Sequence, residues 1–335
     1  MILTGCLAAL FLNTSCDVHE FPHEEPEPPE PTHRQVRLKL EFDLEMPIFQ
    51  EIEYENGLMR TRGDEILERR YIVRAYPVSR SEITRSEVAS WEFFGPAEQT
   101  DTYLDLEVPD GELCFLVWSD FVNASQRNDR HYDSSDFASV MLRDSRNHPG
   151  SDETRDAFRG ELNLPADADS GVIPMVRPMA RYRFITNDLD LFVDKELEAR
   201  STRDGTKADD IDLTQYGVRF TYPRYMAYSF NMFTNRPADS WTNIRYESSL
   251  KAIDGKHAEL GFDYVFVNSH DTSVNVMVEV YDRRTGVVLA RIQPVDVPLS
   301  RSKLTTVRGS FLTTHAEGGA GIDPDFDGEF NIEIK

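Results

Sequence analysis

Gln35-Val36-Arg37-Leu38-Lys39-Leu40-Glu41-Phe42-Asp43-Leu44 alternates in character for ten residues. Apolar side chains stand at every even position and polar ones at every odd position, a period of two. Such a run is a β-strand with one face in a core and the other in water. The alternation returns in Thr102-Tyr103-Leu104-Asp105-Leu106-Glu107-Val108. Shortly after, Leu113-Cys114-Phe115-Leu116-Val117-Trp118 is apolar without a break, the pattern of a central strand buried on both faces. Pro109-Asp110-Gly111 between these two runs reads as a tight turn.

Working outward, residues 70–76, 136–142, 156–164 and 172–176 complete a first set of strand-like segments. Pro174 and Pro178 confine the last of them to an edge or a bend. Residues 84–91 read as a loop or a short helical piece. A second set follows at 180–186, 216–222, 229–234, 260–267, 273–281, 287–292, 304–312 and 329–334. Residues 282–286 make a hairpin turn inside it. Only residues 188–199, with Leu189, Phe192, Val193 and Leu197 on one face, suit a helix. Two runs of about seven short strands predict an all-β chain of two tandem β-sandwiches, 34–177 and 178–335, meeting near Arg177. One large barrel is the alternative.

Residues 1–33 are of another kind. The apolar run 2–12 is too short to span a membrane as a helix and fits the core of a signal peptide, residues 1–15. It ends in Leu12-Asn13-Thr14-Ser15-Cys16, which resembles a lipobox and makes Cys16 the acylated first residue of the mature protein. No Lys or Arg precedes the run, so a start upstream of Met1 is expected. Residues 16–33 alternate Pro with Glu from Glu20 to Pro31. Proline excludes helix and like charges repel, so the segment reads as an extended tether. Its 12 residues reach about 37 Å at roughly 3.1 Å per residue.

Composition narrows the function. A formal charge of −23 repels phosphate backbones, so nucleic acid is not an expected partner. Apart from Cys6 and Cys16 the only cysteine is Cys114, inside an apolar run, and it reads as a buried small hydrophobe. No phosphate loop, HExxH or GxSxG motif occurs, and the histidines, His131 and His148 among them, are scattered and read as exposed loop residues. An enzyme is not expected, and no cofactor is. An exported hydrolase with a carboxylate pair is the least favoured class.

Two motifs point to ligands. Asp323, Asp325 and Asp327 followed by Gly328 resemble the opening of a calcium loop, although Ile334 stands where a bidentate Glu belongs. Residues 222–233 with Trp241 are rich in aromatics, and Tyr225, Tyr228 and Trp241, with Trp91 elsewhere, form a possible carbohydrate- or protein-binding surface.

The Cys16 signal, the strands at 70–76 and 110–119, Arg177-Pro178-Met179-Ala180-Arg181-Tyr182-Arg183-Phe184 and the closing segment 323–332 together resemble Bacteroidales fimbrillin-like surface lipoproteins, the anchor and accessory subunits of fimbriae in particular. The resemblance implies transthyretin-like sandwiches, a lipid anchor exposed on the cell outer membrane, and cell adhesion or fimbria assembly with fimbrial subunits or other surface proteins as partners. In polymerising fimbrillins, Arg-directed proteolysis removes a strand and opens a groove for the next subunit. Arg60, Arg62, Arg69 and Arg70 are the residues here that such cleavage would use. No free donor strand is evident at the C-terminus, which favours an anchor or accessory role. A carbohydrate-binding surface lipoprotein of a glycan-uptake system is the alternative function.

Overall fold

The wall between two hydrophobic cores is the strand Leu113–Asn123, buried at ten of its eleven positions. Its side chains alternate: Leu113, Phe115 and Val117 enter one core, Cys114, Leu116 and Trp118 the other. The neighbouring strand Ile66–Ser79 divides the same way, Tyr71, Val73 and Ala75 against Ile72 and Tyr76. Continuous apolarity thus has the expected cause: neither face meets water. A computed structural model describes residues 32–43, 53–55, 58–60, 65–79, 82–98, 101–143, 148–204, 211–270, 272–313, 320–322 and 329–334.

The first core is enclosed by a single sheet. Its order is Glu53–Glu55, Leu58–Arg60, Ile66–Ser79, Leu113–Asn123, Phe158–Leu164, Ser170–Val176, His33–Phe42, Asp101–Pro109, with Glu82–Ile83 and Ala89–Pro96 also pairing with Ile66–Ser79. Trp91 and Phe93 of Ala89–Pro96 and Leu104, Leu106 and Val108 of Asp101–Pro109 pack into the same core as Val36, Leu38 and Leu40. The strand His33–Phe42 is antiparallel to Asp101–Pro109 and parallel to Ser170–Val176.

The second core lies between two sheets. One is ordered Lys251–Ala252, Ala258–Phe266, Met179–Thr186, Leu304–Gly309, Glu329–Ile334, Ala320–Ile322, and the other Ile244–Ser249, Tyr216–Tyr222, Thr272–Asp282, Val288–Leu299. Met179–Thr186 repeats the arrangement of the first strand, antiparallel to Ala258–Phe266 and parallel to Leu304–Gly309. Aromatic rings fill the space between. Phe220 stacks on Tyr246 with centroids 4.6 Å apart, and Phe184 meets Phe220 edge-on at 5.6 Å. A further small sheet joins residues from both sides of Arg177: Val140–Leu142 pairs with Ser229–Asn231. The second core accordingly takes Ile72, Trp118, Tyr132, Phe137 and Val140 together with Tyr182, Phe230 and Phe266.

The all-β, sandwich-like fold is the one the alternation predicts. Several details differ. Residues 84–91 are neither a loop throughout nor helical: Ala89–Pro96 is a strand beside Ile66–Ser79, its period obscured by adjacent Phe93 and Phe94 and by Gly95-Pro96. Asp101–Pro109 and Leu113–Asn123 are not hairpin neighbours; the turn at Gly111 (φ 125°) links strands with different partners. The turn after Asp282 is the expected hairpin, closed by Gly286 N–H donating to the Asp282 carbonyl at 2.7 Å with Gly286 at φ 74°. The helix is Leu189–Asp204, longer than its apolar face suggests.

Ser170–Val176 is not an edge strand, since it lies between two partners. Pro174 is accommodated by direction. Asp43 N–H donates to the Met175 carbonyl, so odd residues of this strand face His33–Phe42. The missing N–H of Pro174 therefore faces Phe158–Leu164, and that ladder ends at Met175.

Candidate functional site

Among the described residues, Asp101–Pro109 is paired on one side only, along its whole length to His33–Phe42. Which amides lie at the open side follows from the register. Arg37 N–H donates to the Asp169 carbonyl and Asp43 N–H to Met175, so odd residues of His33–Phe42 bond toward Ser170–Val176 and even residues toward Asp101–Pro109. Leu38 lies opposite Leu104, Val36 opposite Leu106 and Leu40 opposite Thr102. Antiparallel partners that exchange hydrogen bonds do so as a pair. Thr102, Leu104 and Leu106 are therefore bonded inward, and the N–H and C=O groups of Tyr103, Asp105 and Glu107 lie at the free edge.

This edge is regular. Thr102, Leu104, Leu106 and Val108 are buried, while Asp101, Tyr103, Asp105 and Glu107 are exposed. Tyr103 is 63% exposed. Arg37 holds Asp105 with a bidentate pair at 2.6 and 3.0 Å, which keeps its carboxyl below the usual range. The edge at Val288–Leu299 is blunted. Val288–Leu299 carries Pro294 and Pro298 and two register shifts. Ala89–Pro96 carries a side-chain contact on its face, the Arg127 guanidinium 4.5 Å from the Phe94 ring centre.

The aromatic segment splits into core and surface. Tyr222 is fully buried, whereas Tyr225 is 75% exposed. Met226–Ala227 pairs with Ser240–Trp241, which brings Tyr228 against Trp241 as parallel rings 3.7 Å apart. Trp241 and Tyr225 then line an open cleft of about 870 Å³ with Ser240, Thr242, Asn243, Ile244 and Arg245. The structure thus brings Tyr225, Tyr228 and Trp241 together. Trp91 it does not: Trp91 lies opposite Val73, on the side of Ile66–Ser79 that enters the first core, and it packs there.

Buried charge was the least legible feature. His148 and Asp263, distant in sequence, meet at 2.5 Å with both side chains buried. Arg155, Tyr222 O–H and the Tyr264 amide also donate to the Asp263 carboxylate. Tyr222, Tyr182 and Tyr246 form a chain of hydroxyls at 2.7 and 3.1 Å. Burial, and then the Arg155 charge, holds His148 well below its ordinary pKa. A neutral ring must put its proton on Nε2 to face Asp263. The expectation of exposed histidines fails here. His131 is also enclosed, and burial lowers it to about 3 despite Asp152.

Two further ion pairs flank this cluster. Arg70 grips Asp120 at 2.7 Å and Arg177 grips Asp156 at 2.8 Å. Arg69 lies over Phe121 at 4.4 Å. Arg69 and Arg70 are thus buried inside a strand, not in a cleavable loop; Arg60 ends the strand Leu58–Arg60, and Arg62 lies outside the described residues. Cys114 is buried as expected, its thiol pushed up to about 12 by desolvation. Cys16 and the calcium candidates Asp323, Asp325 and Asp327 lie outside the described residues. Among the described residues no three His, Cys, Asp or Glu side chains converge as metal ligands, and no helix is long and apolar enough to cross a membrane.

Fold and surface define an all-β, sandwich-like protein with an open strand edge and a separate aromatic cleft. The chain belongs to a family of unknown function, DUF6562, matched over residues 31–335. No curated protein matches it. Among solved structures it is similar to the fimbrial anchor protein Mfa2 of Porphyromonas gingivalis, 11% identical over 77% of this chain and 82% of that one, with a TM-score of 0.38. A candidate cell adhesion protein of Bacteroides eggerthii is 10% identical over 90% and 98% of the two chains, TM-score 0.41. A candidate polysaccharide-binding protein of Bacteroides thetaiotaomicron is 10% identical over 76% and 79%, TM-score 0.40.

Proposed function

We propose that this chain is a fimbrillin-like lipoprotein, anchored through Cys16 on the outer surface of the outer membrane, that serves adhesion or fimbria assembly as an anchor or accessory subunit. It acts by holding an extended segment of another surface protein along Asp101–Pro109. The observation that carries this reading is the row of outward amides and carbonyls at Tyr103, Asp105 and Glu107. Main-chain bonds supply affinity in strand addition, and the alternating side chains supply register. The acidic residues Asp101, Asp105 and Glu107 beside that edge disfavour pairing with a second copy and favour a basic partner segment.

The test is capture of surface proteins of the same cells by the purified mature chain, identified by mass spectrometry. Tyr103→Pro removes an outward N–H without breaking an inward bond, and an edge strand tolerates it. Tyr103→Ala keeps the N–H. Capture of fimbrial subunits that survives Tyr103→Ala and is lost in Tyr103→Pro is expected. Equal capture by both variants overturns the assignment of the edge.

A further inference from the structure

The cleft at Trp241 has no part in strand addition, and its lining has a chemistry of its own. One face of the Trp241 indole is covered by Tyr228 at 3.7 Å in a nearly parallel stack, 8° between planes. Tyr228 and Trp241 are themselves packed on the second core, which fixes the indole in place. The remaining, uncovered part of Trp241 lines the cleft. Tyr225 stands beside it almost free of the protein surface. A rigid aromatic plane with a second aromatic nearby suits the apolar face of a pyranose ring, which is flat and presents C–H bonds.

The rest of the lining is polar. Ser240, Thr242 and Asn243 supply hydroxyl and amide groups able both to donate and to accept, as a ring of hydroxyls requires. Asn243 is held at φ 58°, where the backbone turns into the strand Ile244–Ser249. Among the described residues the one charged lining residue is Arg245. It is exposed, and among the described residues its guanidinium is paired with no carboxylate. In a chain with 59 acidic residues against 36 basic, a cleft lined by an unpaired Arg and by no Asp or Glu is a local inversion of sign. A planar guanidinium matches a carboxylate or sulfate bidentately.

From this juxtaposition we infer that the cleft binds an acidic saccharide, one sugar ring stacked on Trp241 and its carboxylate or sulfate on Arg245. The site is independent of the strand edge, so Tyr103→Pro leaves it intact.

The experiment is a titration of the full mature chain, followed by calorimetry, with polygalacturonate, sialylated and sulfated oligosaccharides, neutral dextran of matching length, and polyglutamate of matching charge. Binding of at least one acidic saccharide is expected, with dextran weaker by tenfold or more. Arg245→Gln should erase that preference, and Tyr225→Ala, at an exposed position with no fold to disturb, should weaken acidic binding several-fold. Trp241→Ala should abolish it, with unchanged cooperative unfolding as its control. No response across the acidic panel overturns the inference. Polyglutamate binding as tightly as the saccharides also overturns it, because charge alone then suffices. Full binding by Tyr225→Ala and Trp241→Ala together does the same.

Discussion

Replacing Asp263 by Ala tests the buried cluster that holds the second core. Its carboxylate accepts from His148, Arg155, Tyr222 and the Tyr264 amide, and all four side chains concerned, Asp263 included, are buried. Without it Arg155 keeps the Tyr264 carbonyl, at 3.1 Å, as its remaining acceptor. A buried cation stripped of its counter-ion costs about 3–5 kcal/mol. That is a large part of the roughly 5–15 kcal/mol by which a domain is stable. Urea unfolding followed by tryptophan fluorescence reads the loss directly, because Trp118 is buried and lies 5.3 Å from the ring of Tyr132, whose hydroxyl donates to the Arg155 carbonyl. The double variant Asp263→Ala, Arg155→Met should recover part of the loss, with a coupling of about 2 kcal/mol or more between the two sites. A cost below about 1 kcal/mol for Asp263→Ala, or strict additivity in the double variant, would refute the reasoning.

Three further outcomes are expected. His131 is held neutral when folded, at about 3, and titrates near 6.5 when unfolded, so its contribution is complete above pH 6.5 and drains away as pH falls toward 3. The slope is about 1.4 kcal/mol per pH unit, and urea midpoints between pH 7 and 5 should fall less steeply in His131→Asn. Residues 34–177 expressed alone would leave Trp118, Tyr132 and Phe137 without Phe230 and Phe266, so this fragment should bind a hydrophobic dye and lack a cooperative transition; a sharp transition would show that the first half needs no partner. Fatty-acid label should enter the full-length protein in cells and be absent from Cys16→Ser, which should appear in the soluble fraction.

The sequence displays what depends on one strand at a time. Alternation at 35–44 and 102–108 and the unbroken run at 113–118 survive because each strand sees one core or two. Pairing order is not a local property, so the parallel neighbour of His33–Phe42 and the true place of Pro174 emerge only in the sheet. Ala89–Pro96 is hidden by its own Phe93-Phe94 and Gly95-Pro96 pairs. Val140–Leu142 and Ser229–Asn231 fall inside the segments 136–142 and 229–234 that read as strands, but nothing in either segment shows that the two pair with each other. For the surface, the density of aromatics marks Tyr225, Tyr228 and Trp241, yet only the structure separates Trp91, which packs inward, from Trp241, which faces a cleft. His148 and Asp263 carry no motif at all; their pairing is made by the packing of the residues around them.

Residue-resolved amide hydrogen exchange on the full mature chain reads out the open edge at Asp101–Pro109. The amides of Thr102, Leu104 and Leu106 should exchange slowly and those of Tyr103, Asp105 and Glu107 fast, and the fast set should become protected when a captured surface protein is added. Odd-numbered amides already protected in the free chain, or left unprotected by the bound partner, would contradict it.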